Sequence, residues 1–61
     1  MKKDIWIIEV EGQDPMIVEG TEAQAFARLK ATEIWEGGTG TFRPATAEEI
    51  EQADKIIDLD S

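Results

Sequence analysis

The chain has no cysteine, no histidine and no tyrosine among its 61 residues. The missing cysteines exclude disulfides and thiolate metal sites, and they leave the redox compartment undetermined. With histidine missing too, the commonest catalytic bases, nucleophiles and metal ligands are absent. Only paired carboxylates remain as catalytic groups, and a domain this small has little room for the pocket that tunes their pKa. We therefore expect no enzyme activity, no cofactor and no metal site.

Positive charge is also scarce. The chain has six Lys and Arg but 14 Asp and Glu, which gives a formal net charge of −8. Such a chain repels nucleic acid and anionic membranes, and it attracts a basic protein surface. The acid is uneven along the chain. Residues 1–19 hold five acids and two bases, residues 20–45 hold three of each, and residues 46–61 hold six acids and one base. The two ends of the chain therefore carry the excess.

Long apolar runs are missing as well. The run at residues 5–8 is too short for a signal peptide or a membrane span. The length allows one domain, so we expect a single small acidic domain over residues 1–61. A location in the cytoplasm is the default expectation.

The first third of the chain predicts a β-hairpin. Residues 5–11 are rich in β-branched and aromatic side chains, which favour a strand, and residues 12–15 are typical of a turn. Residues 16–19 then predict the second strand. Alternation places five apolar side chains on one face of this hairpin: Trp6, Ile8, Val10, Met16 and Val18.

A helix follows. Thr21 and Gln24 have the spacing of a capping box, and the glycines at 37–38 are a typical C-terminal signal. Phe26 and Leu29 lie on one side of this helix, so we expect both to pack on the apolar face of the hairpin.

The last third predicts a short strand at residues 39–43, which Pro44 limits to an edge or ends, and a second helix with a capping box at Thr46 and Glu49. Two alternatives remain for its end. Either the helix continues with an apolar stripe of Ile50, Ala53, Ile56 and Ile57, or it stops at Ala53 and residues 55–59 form a strand. The predicted fold is α+β, a small antiparallel sheet with the first helix on one face, in the order β-β-α-β-α.

Carboxylates form the main candidate site. Side chains three or four apart on a helix have Cβ atoms about 5–6 Å apart, whereas each DNA strand presents a phosphate about every 3.4 Å along the axis. A row of acids, extended by those of the hairpin, has the character needed to occupy a groove built for nucleic acid. The alternative is a solvated face that keeps a small protein soluble. The residues are Glu9, Glu11, Glu19, Glu48, Glu51, Asp54 and Asp58.

Trp35 is a second candidate for partner binding. On an ideal helix it lies away from Phe26, where an exposed tryptophan beside a glycine turn anchors an interface. The favoured alternative is that the last helical turn unwinds and Trp35 folds back over the core.

The chain resembles the small anti-CRISPR proteins of type I systems that mimic DNA. The resemblance lies in its size, its acidity and its lack of His and Cys. It also lies in a hairpin over residues 6–18 that is followed by a helix capped by Thr21. This resemblance implies a phage protein in the host cytoplasm that blocks the basic DNA-recognition surface of a Cascade-type complex. It transfers no functional residue. Residues 5–36 are also similar to the start of small antitoxins with a partial RNase H-like fold.

We therefore expect a non-enzymatic inhibitor that binds a basic, nucleic-acid-binding protein surface, and neither nucleic acid nor membrane directly. The alternative is an antitoxin-like or structural module that binds through an apolar patch including Trp35; a carboxylate-based enzyme is a third possibility. Because the acid opposes self-association, we expect a monomer or a weak dimer.

Overall fold

A computed structural model describes residues 3–60 as one four-stranded mixed sheet with two helices. The elements in chain order are β1 (Asp4–Val10), β2 (Met16–Gly20), α1 (Glu22–Glu36), β3 (Gly40–Pro44), α2 (Ala47–Gln52) and β4 (Ile57–Asp58).

The strands lie in the order β3-β1-β2-β4. β1 pairs antiparallel with both β2 and β3, and the short β4 pairs in parallel with β2. The α+β class and the order β-β-α-β-α are confirmed, and β4 makes the sheet mixed.

Of the two alternatives for the chain end, the short helix followed by a strand is the one observed. The continuous apolar stripe is wrong, because Ala53 has an extended backbone with φ −69° and ψ 125°. Ile57 lies instead in β4, where it is the parallel partner of Val18, and Val18 is fully buried. Burial of Ile57 against the sheet is therefore more favourable than continuing a helix whose other face is charged.

The main core lies between α1 and one face of the sheet. It contains Trp6, Ile8, Val10, Val18, Ala25 and Leu29. The Trp6 indole donates a hydrogen bond of 3.0 Å to the carbonyl of Gly20, so its polar atom is satisfied inside the core.

The expectation for Leu29 is confirmed, whereas the one for Phe26 is only half right. Phe26 stays 49% exposed and touches the sheet through the ring of Phe42, with centroids 6.1 Å apart. Ala25 and Leu29 form the centre of the buried stripe, and Phe26 lies about 60–100° around the helix from them.

The junction from α1 to β3 is held at three points. Gly37 ends the helix at φ 71°, a left-handed conformation that favours glycine. The Glu33 carboxylate then accepts a hydrogen bond of 2.8 Å from the backbone N–H of Gly40. A Cβ on Gly40 would lie 2.5 Å from the carbonyl oxygen of Glu9, so only glycine lets β3 approach β1 this closely.

The second face of the sheet also needs cover, because Ile7 points to it and is only 6% exposed. β3 and β4 lie at opposite edges, so the connection through α2 must cross the sheet. The crossover β2-α1-β3 runs across the sheet in one direction, and the crossover β3-α2-β4 runs across it in the other. Because such crossovers are right-handed, two that run in opposite directions lie on opposite faces of the sheet. Arg43, on the same face as Ile7, bonds Glu49 of α2 at 2.8 and 2.7 Å. The chain between β3 and β4 therefore lies on the face away from α1, the face to which Ile7 points.

Replacing Leu29 by alanine should lower the free energy of unfolding by about 2–5 kcal/mol, because a buried side chain of this size leaves a cavity. Ile34→Ala is the matched control on the same helix, since Ile34 is 82% exposed. Urea unfolding of both variants at low protein concentration measures the difference. Equal stabilities would contradict the packing of α1 described above.

Candidate acidic interaction surface

Three predicted carboxylates lie on the second face of the sheet. Glu9 is two residues after Ile7 on β1, and Glu19 is two residues after Ile17 on β2, so both share the face of those isoleucines. Asp58 of β4 is the parallel partner of Glu19 and shares its face. The sheet thus brings acids from the two ends of the sequence to the same side.

The connection over this face adds three more. Glu48 and Glu51 are exposed on α2, and Asp54 is exposed in the segment that follows it. A capping box between Thr46 and Glu49 begins this helix, so the hydroxyl of Thr46 and the carboxylate of Glu49 satisfy backbone N–H groups. We call the combined set the acidic surface: Glu9, Glu19, Glu48, Glu51, Asp54 and Asp58.

Glu49 lies on the same side but has a structural role. Its carboxylate is held by the Arg43 guanidinium and by the backbone N–H of Thr46, at 2.9 Å. The hydrogen bonds from Arg43, followed by that from Thr46, lower the pKa of Glu49 to about 2. Arg43 also lies 3.8 Å from Glu9, which offsets part of that charge. Arg43 therefore fastens α2 to β3.

Lys3 borders the acidic surface beside β4. It forms an ion pair with Asp60, and its hydrogen bond to that carboxylate raises the Lys3 pKa, with smaller contributions from Asp58 and Glu19. Asp60 also accepts a hydrogen bond from Gln24 of α1. The pKa of Asp60 is lowered, first by Lys3 and then by Gln24. These contacts tie the segment after β4 to Lys3, just before β1, and to α1.

The α1 side of the sheet differs in charge. The helix carries three carboxylates and two cations. Glu33 bonds the Gly40 N–H and also lies 3.2 Å from Lys30, and both contacts, the Gly40 bond first, lower its pKa. The Lys30 ammonium lies 5.3 Å from the ring centre of Phe26. α1 therefore carries a net charge of −1, a small part of the −8 of the whole chain.

Six of the seven predicted acids lie on the second face of the sheet or on the chain that connects β3 to β4. Glu11 lies apart, at the hairpin end of the sheet, where its backbone N–H bonds the Thr39 carbonyl at 2.9 Å. Asp54 and Asp58 reach the acidic surface from a loop and a strand, because α2 ends at Gln52. The single helical row expected from their spacing is therefore wrong.

Trp35 is on the opposite side of the molecule and is 85% exposed. The favoured expectation that it folds back over the core is wrong. The helix continues to Glu36 before Gly37 caps it, and Trp35 then points about 120° away from the buried Leu29. Trp35 lines a cleft of about 370 Å³, which Gln13 of the hairpin turn and Met16 of β2 also line.

Sequence reasoning missed Ile34, which is 82% exposed beside Trp35. The signal was available, because Ile34 lies about 140° around the helix from Leu29.

Residues 3–60 contain no group of three or more acidic side chains placed to hold a metal ion. Within the same residues, neither helix has the length and apolar character required to cross a bilayer. No family model, curated protein or solved structure matches the chain. A function can therefore be proposed only from the arrangement of charge and of exposed apolar side chains.

Replacing Arg43 by alanine should raise the pKa of Glu49 from about 2 toward its ordinary value of 4.5, because the main cause of the shift is lost. A carboxyl whose pKa is lowered in the folded state stabilises the fold above its unfolded pKa, and this stability is lost as the pH falls through the folded value. The parent should therefore lose this stabilisation as the pH falls from about 4.5 to 2. The Arg43→Ala variant should lose less stability over the same range.

NMR titration of the Glu49 side chain and unfolding curves across this pH range measure the two effects. Lys55→Ala is the control, because it removes a cation that does not contribute to the shift of Glu49. If Arg43→Ala left the Glu49 titration unchanged, the fastening of α2 by this pair would be refuted.

Proposed function

We propose that the protein is a non-enzymatic inhibitor that binds a basic, nucleic-acid-binding surface of a partner protein. The observation that supports this is the convergence of six carboxylates, from both ends of the sequence, on the α2 side of the sheet. A solubilising charge has no need to collect on one side, whereas a surface that replaces nucleic acid does.

The spacing of the acidic surface suits this role. Paired residues on neighbouring strands, such as Glu19 and Asp58, have Cβ atoms about 5 Å apart, and Glu48 and Glu51 on one helix face are about 5–6 Å apart. Phosphates recur about every 3.4 Å along the axis of each DNA strand, so the two spacings are of the same order. Lysines and arginines that accommodate phosphates also accept carboxylates.

The partner is a protein whose basic groove is free when nucleic acid is absent. The resemblance to DNA-mimic anti-CRISPR proteins makes a Cascade-type complex the first to test. Binding of this kind depends on long-range attraction, so salt and duplex DNA both compete with it.

Neutralising three acids, as Glu48→Gln, Glu51→Gln and Asp54→Asn together, should weaken partner binding roughly ten- to a hundredfold, at about 0.5–1 kcal/mol for each lost charge contact. Binding is measured by capture of a purified Cascade-type complex, and of proteins from host lysate, on immobilised protein. Low and high salt are compared, each with and without duplex DNA.

A matched control removes the same charge elsewhere: Glu22→Gln, Asp14→Asn and Glu36→Gln. It should reduce binding much less, and both triple variants should keep the circular dichroism of the parent. Equal loss in the two variants would show that net charge alone is responsible. Capture that ignores both salt and DNA would refute mimicry of nucleic acid.

The exposure of Trp35 and Ile34 supports a second candidate function, an antitoxin-like or structural module that binds a protein through an apolar patch. Because this patch and the acidic surface lie on opposite sides of the sheet, the two functions are separable. In the second case Trp35→Ala weakens partner binding more than the acidic triple variant does.

A further inference from the structure

The short strand β4 covers only part of the outer edge of β2, because its parallel ladder begins opposite Val18. The backbone N–H of Leu59 bonds the carbonyl of Glu19, so the odd-numbered residues of β2 direct their backbone groups away from β1. Before the ladder begins, the Ile17 N–H and the Pro15 carbonyl therefore point outward. Neither group forms a hydrogen bond within residues 3–60.

A cleft of about 330 Å³ lies beside these two groups. It is lined by residues 15–17, by residues 53–55 after α2, and by Ile57 of β4. Met16 and Ile57 also pack against the core, so the cleft combines apolar side chains with unbonded backbone groups. We call the segment of β2 that borders it the open edge: Pro15, Met16 and Ile17.

The edge of the sheet at β3 is protected, in contrast to the open edge. There the Glu33 carboxylate accepts the outward N–H of Gly40 at 2.8 Å, and Pro44 has no N–H to donate. Proteins commonly prevent unwanted strand pairing by such means. The open edge instead presents one backbone donor and one backbone acceptor next to a cleft.

We propose that the open edge binds an extended basic segment of the partner protein, which joins the sheet as a further strand. This inference rests on the proposed inhibitor function and describes how the partner is held. The Ile17 N–H donates to a carbonyl of the segment, and the Pro15 carbonyl accepts from one of its N–H groups. Peptides that add to a sheet edge gain affinity from such main-chain bonds.

The charges around the open edge favour a basic segment. Glu19 follows Ile17 on the same face of β2, about 7 Å along the strand, and Asp58 lies beside Glu19 on β4. Asp54 lines the cleft, and it offsets the charge of Lys55, the one cation among the lining residues. A second copy of this chain is disfavoured, since each copy carries a net charge of −8.

The two faces of the sheet also set a pattern for the segment. Met16 packs against the core on the α1 side, whereas Glu19 lies on the opposite face. Successive side chains of a strand point to opposite faces, and neighbours on adjacent strands share a face. A segment of alternating apolar and basic residues therefore places its apolar side chains beside Met16 and its basic ones toward the acidic surface.

NMR titration of the ¹⁵N-labelled protein with a blocked peptide of alternating valine and arginine tests this site. The peptide should shift the Ile17 amide resonance in a saturable manner, and the same peptide with glutamate for arginine should not. Only alternate N–H groups of a strand face one neighbour. Of two peptides methylated on the valine or on the arginine nitrogens, one should therefore bind about three- to tenfold more weakly than the other.

Variants of the protein test the same contacts from the other side. Ile17→Pro removes the donor of the open edge but no hydrogen bond to β1, so the sheet should persist. It should bind the peptide at least about threefold more weakly than Ile17→Val, which keeps the N–H. Asp54→Asn should also weaken binding, whereas Glu22→Gln, which removes the same charge from α1, should leave binding unchanged.

Equal binding of the two methylated peptides overturns the proposal, as does a titration that leaves the Ile17 amide unchanged. If Ile17→Pro fails to fold, the methylated peptides still decide. Full capture of the partner by a folded Ile17→Pro, with loss of capture by the acidic triple variant, refutes the added strand but supports the inhibitor function. Peptide binding at the open edge without capture of any nucleic-acid-binding protein supports the edge site and refutes the inhibitor function.

Discussion

The structure depends on the need to cover β1 on both sides. Ile8 is fully buried toward α1, and its neighbour Ile7 is 6% exposed on the other face. A strand that is apolar on both faces requires a layer above and a layer below it. α1 supplies the first layer, and the chain between the edge strands β3 and β4 supplies the second. Adjacent apolar residues at the start of the sequence thus determine where the rest of the chain must run.

The two layers differ because their share of the core differs. α1 buries Ala25 and Leu29, whereas α2 has no buried residue. The α2 layer is therefore free to carry exposed carboxylates, as at Glu48, Glu51 and Asp54. Its like charges, such as Glu19 beside Asp58, repel each other, and Arg43 and Lys3 offset part of this repulsion. Charge segregation across the sheet follows from this unequal division of the core.

Local features were predictable from the sequence, and long-range ones were not. The hairpin turn, the capping boxes at Thr21 and Thr46, and the end of α1 at Gly37 all follow from signals within a few residues. The pairing of Ile57 with Val18 depends on residues 39 positions apart, so no periodicity reveals it. For the same reason, the acids were identifiable while their common side was not. Trp35 was misjudged because the sequence analysis favoured unwinding of the last helical turn, whereas α1 continues to Glu36.

The absence of buried residues in α2 has a consequence for how the acidic surface behaves. A six-residue helix is too short to persist without tertiary contacts. It is held mainly by its capping box and by the ion pair with Arg43. Local opening of this layer costs less than global unfolding, so its amides should exchange with solvent before those of β1. The α2 part of the acidic surface is therefore more adaptable than the part on β1 and β2, and part of the cost of binding is the entropy lost when a partner orders it.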